Sequence, residues 1–119
     1  MISQDQLSAT YGHELAKRIA MTISCKDAMA IPKVPNAGQI FLQGNSEYQL
    51  MHNGVKVTKD GYCGPWMTEI ITRLEGHHEP QEEFVFHLLL ERMRKTLAGS
   101  RAPVMIEIGS YWAYYSLWF

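Results

Sequence analysis

The chain lacks a secretory start, a membrane-length apolar run, an excess of either charge and any closely spaced cysteine pair, and each absence removes a class of function. MISQDQLSATYGHE at the amino end carries neither the basic start nor the apolar stretch of a signal peptide. No segment approaches the roughly 20 apolar residues that span a bilayer. A cytoplasmic location and no membrane partner are therefore expected. Lysine and arginine number 11 against 12 acidic residues, and no basic stripe interleaves with aromatics, so no nucleic-acid partner is expected either. Cys25 and Cys63 stand far apart without secretory context and read as reduced thiols. No GxSxG elbow surrounds Ser110 and neither cysteine has a reactive-site signature, so no covalent nucleophile is read. Internal repeats are absent, and 119 residues bound the chain to one small domain.

What is present reads as alternating helices and short strands. Ser3 is placed to cap an amphipathic helix whose apolar residues Leu7, Tyr11, Leu15, Ile19 and Ile23 recur every four positions. Pro32, Pro35 and Gly38 cannot continue a helix, so 32–38 reads as a linker between an N-terminal helical unit, 1–31, and the remainder, 39–119. QIFLQG and EYQLMH read as strands, and Asn53-Gly54 is a hairpin signal between EYQLMH and VKVTKD. Gly64-Pro65 precedes a short helix through Trp66, Met67, Ile70, Ile71 and Leu74 that Gly76 ends. Trp66 reads as a core anchor. Pro80 opens a longer helix, to about Ala98, with Glu82 and Glu83 near its positive end and Arg92, Arg94 and Lys95 near its negative one. Phe84, Leu88, Leu89, Met93 and Leu97 form its main apolar face, and Val85, Phe86 and Leu90 suggest burial on a second side.

The stretch from His77 to His87 is rich in metal-ligating types, and Glu83 with His87 has the helical spacing to share an ion. HEPQE nevertheless departs from the HExxH zinc signature, because Glu82 stands in the place of the second histidine and Pro80 leaves His78 outside the helix. No metal is read. These carboxylates are expected to form a solvated helix start that compensates the dipole.

The carboxyl end carries the strongest pattern. Val104-Met105-Ile106 is a continuous apolar run of the kind buried on both faces of a parallel sheet, and Glu107 closes it with a carboxylate. Gly109 permits a sharp turn or a close approach to a ligand, and Ser110 is placed to cap a helix through Tyr114, Tyr115, Trp118 and Phe119. Strand, acid, glycine and helix form the outline of a nucleotide-type site at the carboxyl end of a strand. An ordinary strand-to-helix turn has the same outline, and a full dinucleotide fingerprint has more glycines than EIGSYWA.

MIEIGSYWAYYSLWF resembles the first motif of the FkbM-type S-adenosylmethionine-dependent methyltransferases: an acid, any residue, glycine, a short loop ending in glycine, two aromatics and Ser or Thr. Glu107, Gly109, Tyr114, Tyr115 and Ser116 fill the matching places, and HEPQEE, from His78 to Glu83, resembles the segment leading into the motif. Tyr111 stands where the family has a small or amide residue, and Ala113 where it has the last loop glycine. The resemblance implies an α/β fold: the first βα unit of an incomplete Rossmann-like methyltransferase core, preceded by a helix, a β-hairpin and two further helices.

It also implies S-adenosylmethionine as cofactor, held by Glu107, Gly109, Ser110, Tyr111, Ala113 and Tyr114. Glu107 orients the amino-acid part of the cofactor, directly or by holding the loop. Methyl transfer to an oxygen of a small metabolite or sugar follows as the activity, with Glu79 and Glu82 lining the cleft. The family's further strand–helix units find no counterpart in the sequence, so the chain reads as the amino-terminal fragment of such an enzyme, inactive alone. Exposed aromatics among Tyr111, Trp112, Tyr114, Tyr115, Trp118 and Phe119 then imply self-association. The alternative is a non-enzymatic interaction or oligomerisation module that retains the motif for packing.

Overall fold

A computed structural model describes residues 3–99 and 102–119, and shows a mixed helix-and-strand fold around a small antiparallel sheet. Helices α1 (Gln4–Tyr11) and α2 (His13–Ser24) are followed by a short 3-10 turn at Asp27–Ala30. Strands β1 (Ile40–Gln43), β2 (Ser46–Leu50) and β3 (Lys56–Thr58) come next, then helices α3 (Pro65–Arg73), α4 (Pro80–Leu97) and α5 (Tyr114–Trp118). None of the described helices is long and apolar enough to cross a membrane.

Ser3 caps α1 as its position suggests. Its Oγ accepts the Gln6 N–H at 3.2 Å while the Gln6 side chain accepts the Ser3 N–H at 2.7 Å, a reciprocal capping box. The single helix expected through Ile23 is instead two. Gly12 takes φ +81° between α1 and α2, a conformation that ends one helix and starts the next. The four-residue apolar spacing survives the break because both helices face one core: Leu7, Ala16 and Ile19 are buried with Met67, Ile70, Ile71 and Leu74 of the α3 region and with Met51 and Tyr114.

The sheet is a meander, β1–β2–β3, with each neighbouring pair antiparallel. Gly44, at φ +63°, turns β1 into β2 between the paired residues Gln43 and Ser46. The second hairpin falls at Asn53-Gly54 as expected, but its turn is wider than a two-residue loop, since β2 and β3 pair last at Leu50 and Lys56. Asn53 Oδ1 accepts the Val55 N–H at 3.1 Å and supports that turn. Segment 32–38 is hydrogen-bonded to the end of β2: Val34 N–H donates to His52 O at 2.8 Å and Gly38 N–H to Leu50 O at 2.7 Å. Buried Gln49 ties the sheet to α3, its amide donating to Thr68 O at 3.0 Å and Thr72 Oγ1 at 2.9 Å. Trp66 packs against the core, half-buried.

Two readings are corrected. In α4 the fully covered residues are Pro80, Glu83 and Leu90, while Val85, Leu88 and Leu89 are exposed. Of the apolar face read from spacing, Leu88 and Leu89 look outward while Phe84, Met93 and Leu97 are half-buried. Val104-Met105-Ile106 belongs to no strand among the described residues, and Val104, Ile106 and Ile108 are 85%, 85% and 96% exposed. Strand propensity in that run is unmet because no neighbouring strand offers the partner peptide groups that a ladder needs.

Candidate functional site

Glu107 and the start of α5 close a small loop. The Glu107 carboxylate accepts the Ser116 backbone N–H at 3.1 Å and also the Ser116 hydroxyl. It thus serves a free N–H of the first turn of α5 that no capping side chain at Ala113 can reach. Between these ends the loop is wound through positive φ: +71° at Gly109, +39° at Tyr111 and +58° at Ala113. A Cβ added at Gly109 would meet nothing within 4 Å, so the loop's outer surface is open there.

Tyr111 and Ala113, the two positions that depart from the resembled motif, thus both occupy left-handed backbone. Glycine adopts that conformation freely and an amide residue tolerates it, whereas a Cβ makes it costly. Replacing Ala113 by glycine is therefore expected to raise the stability of the chain by about 1 kcal/mol, and Tyr111→Asn to act in the same direction. Urea unfolding measures both, and a fall in stability for Ala113→Gly would contradict the backbone described.

Of the residues read as cofactor contacts, Glu107, Gly109, Ser110, Tyr111 and Ala113 form this one loop. Tyr114 does not share its open surface. Its side chain is 1% exposed and its hydroxyl lies 2.7 Å from His52 Nδ1, so it is spent on the core rather than offered to a ligand. The next residue, Tyr115, donates its hydroxyl to Glu79 Oε2 at 3.1 Å. Trp112 stacks on Tyr62 with ring centroids 4.4 Å apart, and Trp118 meets His52 edge-on at 4.5 Å. The aromatics expected to be exposed are therefore mostly packed, with Tyr111 the most open of them.

Behind the loop lies a buried polar cluster that the sequence reading placed in solvent. Glu83, His77, His78 and His52 are all covered. One Glu83 oxygen accepts the backbone N–H groups of His78 and Glu79, at 2.8 and 3.1 Å, and lies 2.7 Å from His78 Nδ1. The other takes a hydrogen bond from His77 Nδ1. The carboxylate folds back over the first turn of α4 and satisfies N–H groups that precede the helix, a variation on capping from inside the helix.

Burial and charge divide the histidines. Burial, aided by neighbouring His77, pushes His52 down to about 4, so it is neutral and its Nδ1 shares a hydrogen bond with the Tyr114 hydroxyl. His78 is opposed by burial as well, but the carboxylates of Glu79 and Glu83 outweigh it and hold it up at about 9. Glu83 is held below the usual carboxylate range, the hydrogen bonds from His77 and His78 overcoming the cost of its burial. The cluster is therefore a buried His78⁺–Glu83⁻ pair with a neutral His52 at its edge. Glu79 is lowered by its contact with His78, whereas Glu82 is raised, first by the Glu79 charge and then by partial burial. These two carboxylates sit beside His78 at a cavity of about 360 Å³ between α2 and α4, which Thr22 and Cys25 also line.

Donor atoms of His52, His77 and Glu83 lie within 4.8 Å of one another, the spacing of a metal site. The ring geometry disfavours coordination. His52 and His77 stack at 4.2 Å with only 24° between their planes, so their in-plane lone pairs run side by side instead of converging on one ion. Hydrogen bonding to Glu83 and Tyr114 occupies the Nδ1 atoms of His77 and His52, while their buried Nε2 atoms have no hydrogen-bond partner among the described residues. The sequence marked the crowding of His77 to His87 but gave no sign that His52, far away in the chain, completes the cluster. Comparison with known protein families, curated proteins and solved structures finds no match to this chain.

Proposed function

We propose that the chain supplies the opening portion of an S-adenosylmethionine-dependent methyltransferase that transfers a methyl group to an oxygen of a small-molecule acceptor, a sugar or other metabolite. In this reading Val104–Ile106, which lies in no strand among the described residues, would pair only within the larger Rossmann-like sheet of the full enzyme, and the loop from Glu107 to Ala113 receives the methionine part of the cofactor. The observation that carries it is the Glu107–Ser116 clamp: an acid just after an apolar run holds the first turn of the next helix, leaving Gly109 open between them. Glu107 then acts by holding the loop. The sulfonium makes its methyl electrophilic by itself, so the protein's share is to place the acceptor in line and exclude water. Glu79 holds the Tyr115 hydroxyl and lines, with Glu82, the cavity between α2 and α4; in this reading the two carboxylates would take the proton of an acceptor hydroxyl.

The exposed row Val104, Ile106 and Ile108 and the outward apolar side of α4 both suit a larger sheet packed against them. Without those strands the cleft has one wall, and the 119-residue chain alone is expected to be inactive. The same exposed row favours the second reading, an interaction or oligomerisation module, in which another copy covers these surfaces.

The test is calorimetric titration of S-adenosylmethionine into the polypeptide translated through its full reading frame, with Glu107→Ala beside it. One-to-one binding that the substitution weakens at least tenfold upholds the methyltransferase. Absence of cofactor heat, together with a defined oligomer of the 119-residue chain on sizing, selects the module.

A further inference from the structure

Helix α5 spans only Tyr114–Trp118, and helices so short have no stability of their own, so its position is set by what its side chains grip. Its first three residues grip three different places. Tyr114 reaches His52 in the β2–β3 turn at 2.7 Å, Tyr115 reaches Glu79 at the start of α4 at 3.1 Å, and Ser116 binds Glu107. We infer that His52 and Glu79 are positioning residues for the open loop, each holding by its hydroxyl one of two consecutive tyrosines and so fixing where the loop from Glu107 to Ala113 ends.

The two anchors are not independent. Glu83 accepts the backbone N–H of Glu79 at 3.1 Å and binds the side chain of His77, whose ring stacks on His52. The turn after β2, the start of α4 and the start of α5 therefore meet in one buried network. This divides the motif into two parts with different work. Gly109 and Tyr111 are exposed, while buried Tyr114 and half-buried Tyr115 are tied by their hydroxyls to the body of the fold. A buried tyrosine hydroxyl with a single partner is a directional constraint that ring packing alone does not supply. Phenylalanine at either position keeps the packing and removes only the constraint.

The consequence for cofactor binding rests on the methyltransferase reading, but the anchoring rests on geometry alone, and the experiment separates the two. Amide hydrogen exchange is followed on the full chain and on its Tyr114→Phe, Tyr115→Phe and Glu79→Ala variants. Each variant is expected to exchange the amides of 113–119 about tenfold faster, the size of one lost hydrogen bond, while those of 66–74 keep their protection. Tyr115→Phe and Glu79→Ala should not add, because they remove the two ends of one bond. Unchanged exchange at 113–119, or an equal loss in 66–74, would overturn the anchoring role. The same variants, made in the full-reading-frame polypeptide, are expected to weaken S-adenosylmethionine binding by about tenfold without a matching fall in the unfolding midpoint of α3. If anchoring is found and the unsubstituted protein binds no cofactor, the positioning stands and the methyltransferase reading fails.

Discussion

Gly76→Ala is expected to cost more than about 4 kcal/mol and to leave the chain largely unfolded, a loss at the extreme of what single substitutions do. Two independent penalties meet at that position. Gly76 has φ +94°, a conformation that a side chain strains, and a Cβ there would lie 2.9 Å from His52 Cα and Met51 C, with His52 N closer still. These are backbone atoms of the turn after β2, which cannot swing aside as a flexible side chain can. Gly76 O also accepts the His52 N–H at 3.1 Å, so displacing the turn breaks that bond and moves His52 away from Tyr114. Circular dichroism and urea unfolding measure the effect. A variant within 1 kcal/mol of the parent would show that the α3 end and the β2–β3 turn do not touch as described.

Glu83→Gln is expected to be the next most damaging change, at about 3–5 kcal/mol. It strips the buried His78 cation of its nearest countercharge, and an uncompensated buried charge is among the costliest defects a core can hold. The pH dependence of stability gives the same result a second signature. His78 is raised from 6.5 to about 9, so its contribution is complete below pH 6.5 and lost as pH climbs through 9. His52 is lowered from 6.5 to about 4, so the folded state loses stability as pH drops from 6.5 toward 4. Glu83, lowered from 4.5, adds to the acid loss once pH falls below that value. Stability is thus expected to peak near pH 6.5, with each histidine limb worth on the order of 3 kcal/mol. In Glu83→Gln the alkaline fall should begin at lower pH, because Glu79 alone remains to hold the His78 proton. An alkaline limb unchanged by Glu83→Gln would mean that the two side chains are not paired.

How far the sequence disclosed this arrangement depends on the range of the forces involved. The Ser3 cap, the start of α3 at Pro65 and the start of α4 at Pro80 are set by residues within a few positions of one another, and local reading found them, though not the return bond from Gln6 that completes the box. Gly12 was hidden because the apolar repeat runs through it, although a glycine in that repeat divides the helix. Glu83 was misread for a different reason. A carboxylate in a first helical turn is usually solvated; Glu83 instead folds back on nearby His77, His78 and Glu79, with distant His52 beside it in the buried cluster. Within the motif, the inward turn of Tyr114 is again decided by a partner far away in the chain. Val104–Ile106 shows the converse: strand-like composition without a neighbouring strand yields an exposed segment in no sheet.

That segment sets a kinetic contest. Val104, Ile106 and Ile108 alternate in the sequence and are exposed, so a strand pairing formed there would gather them on one face. In the methyltransferase reading, completion by a strand of the same polypeptide would be first order, whereas capture by the same stretch of a neighbouring molecule scales with how crowded the molecules are. Dilution should therefore favour the solitary product and crowding the joined one, whichever of the two is the working form.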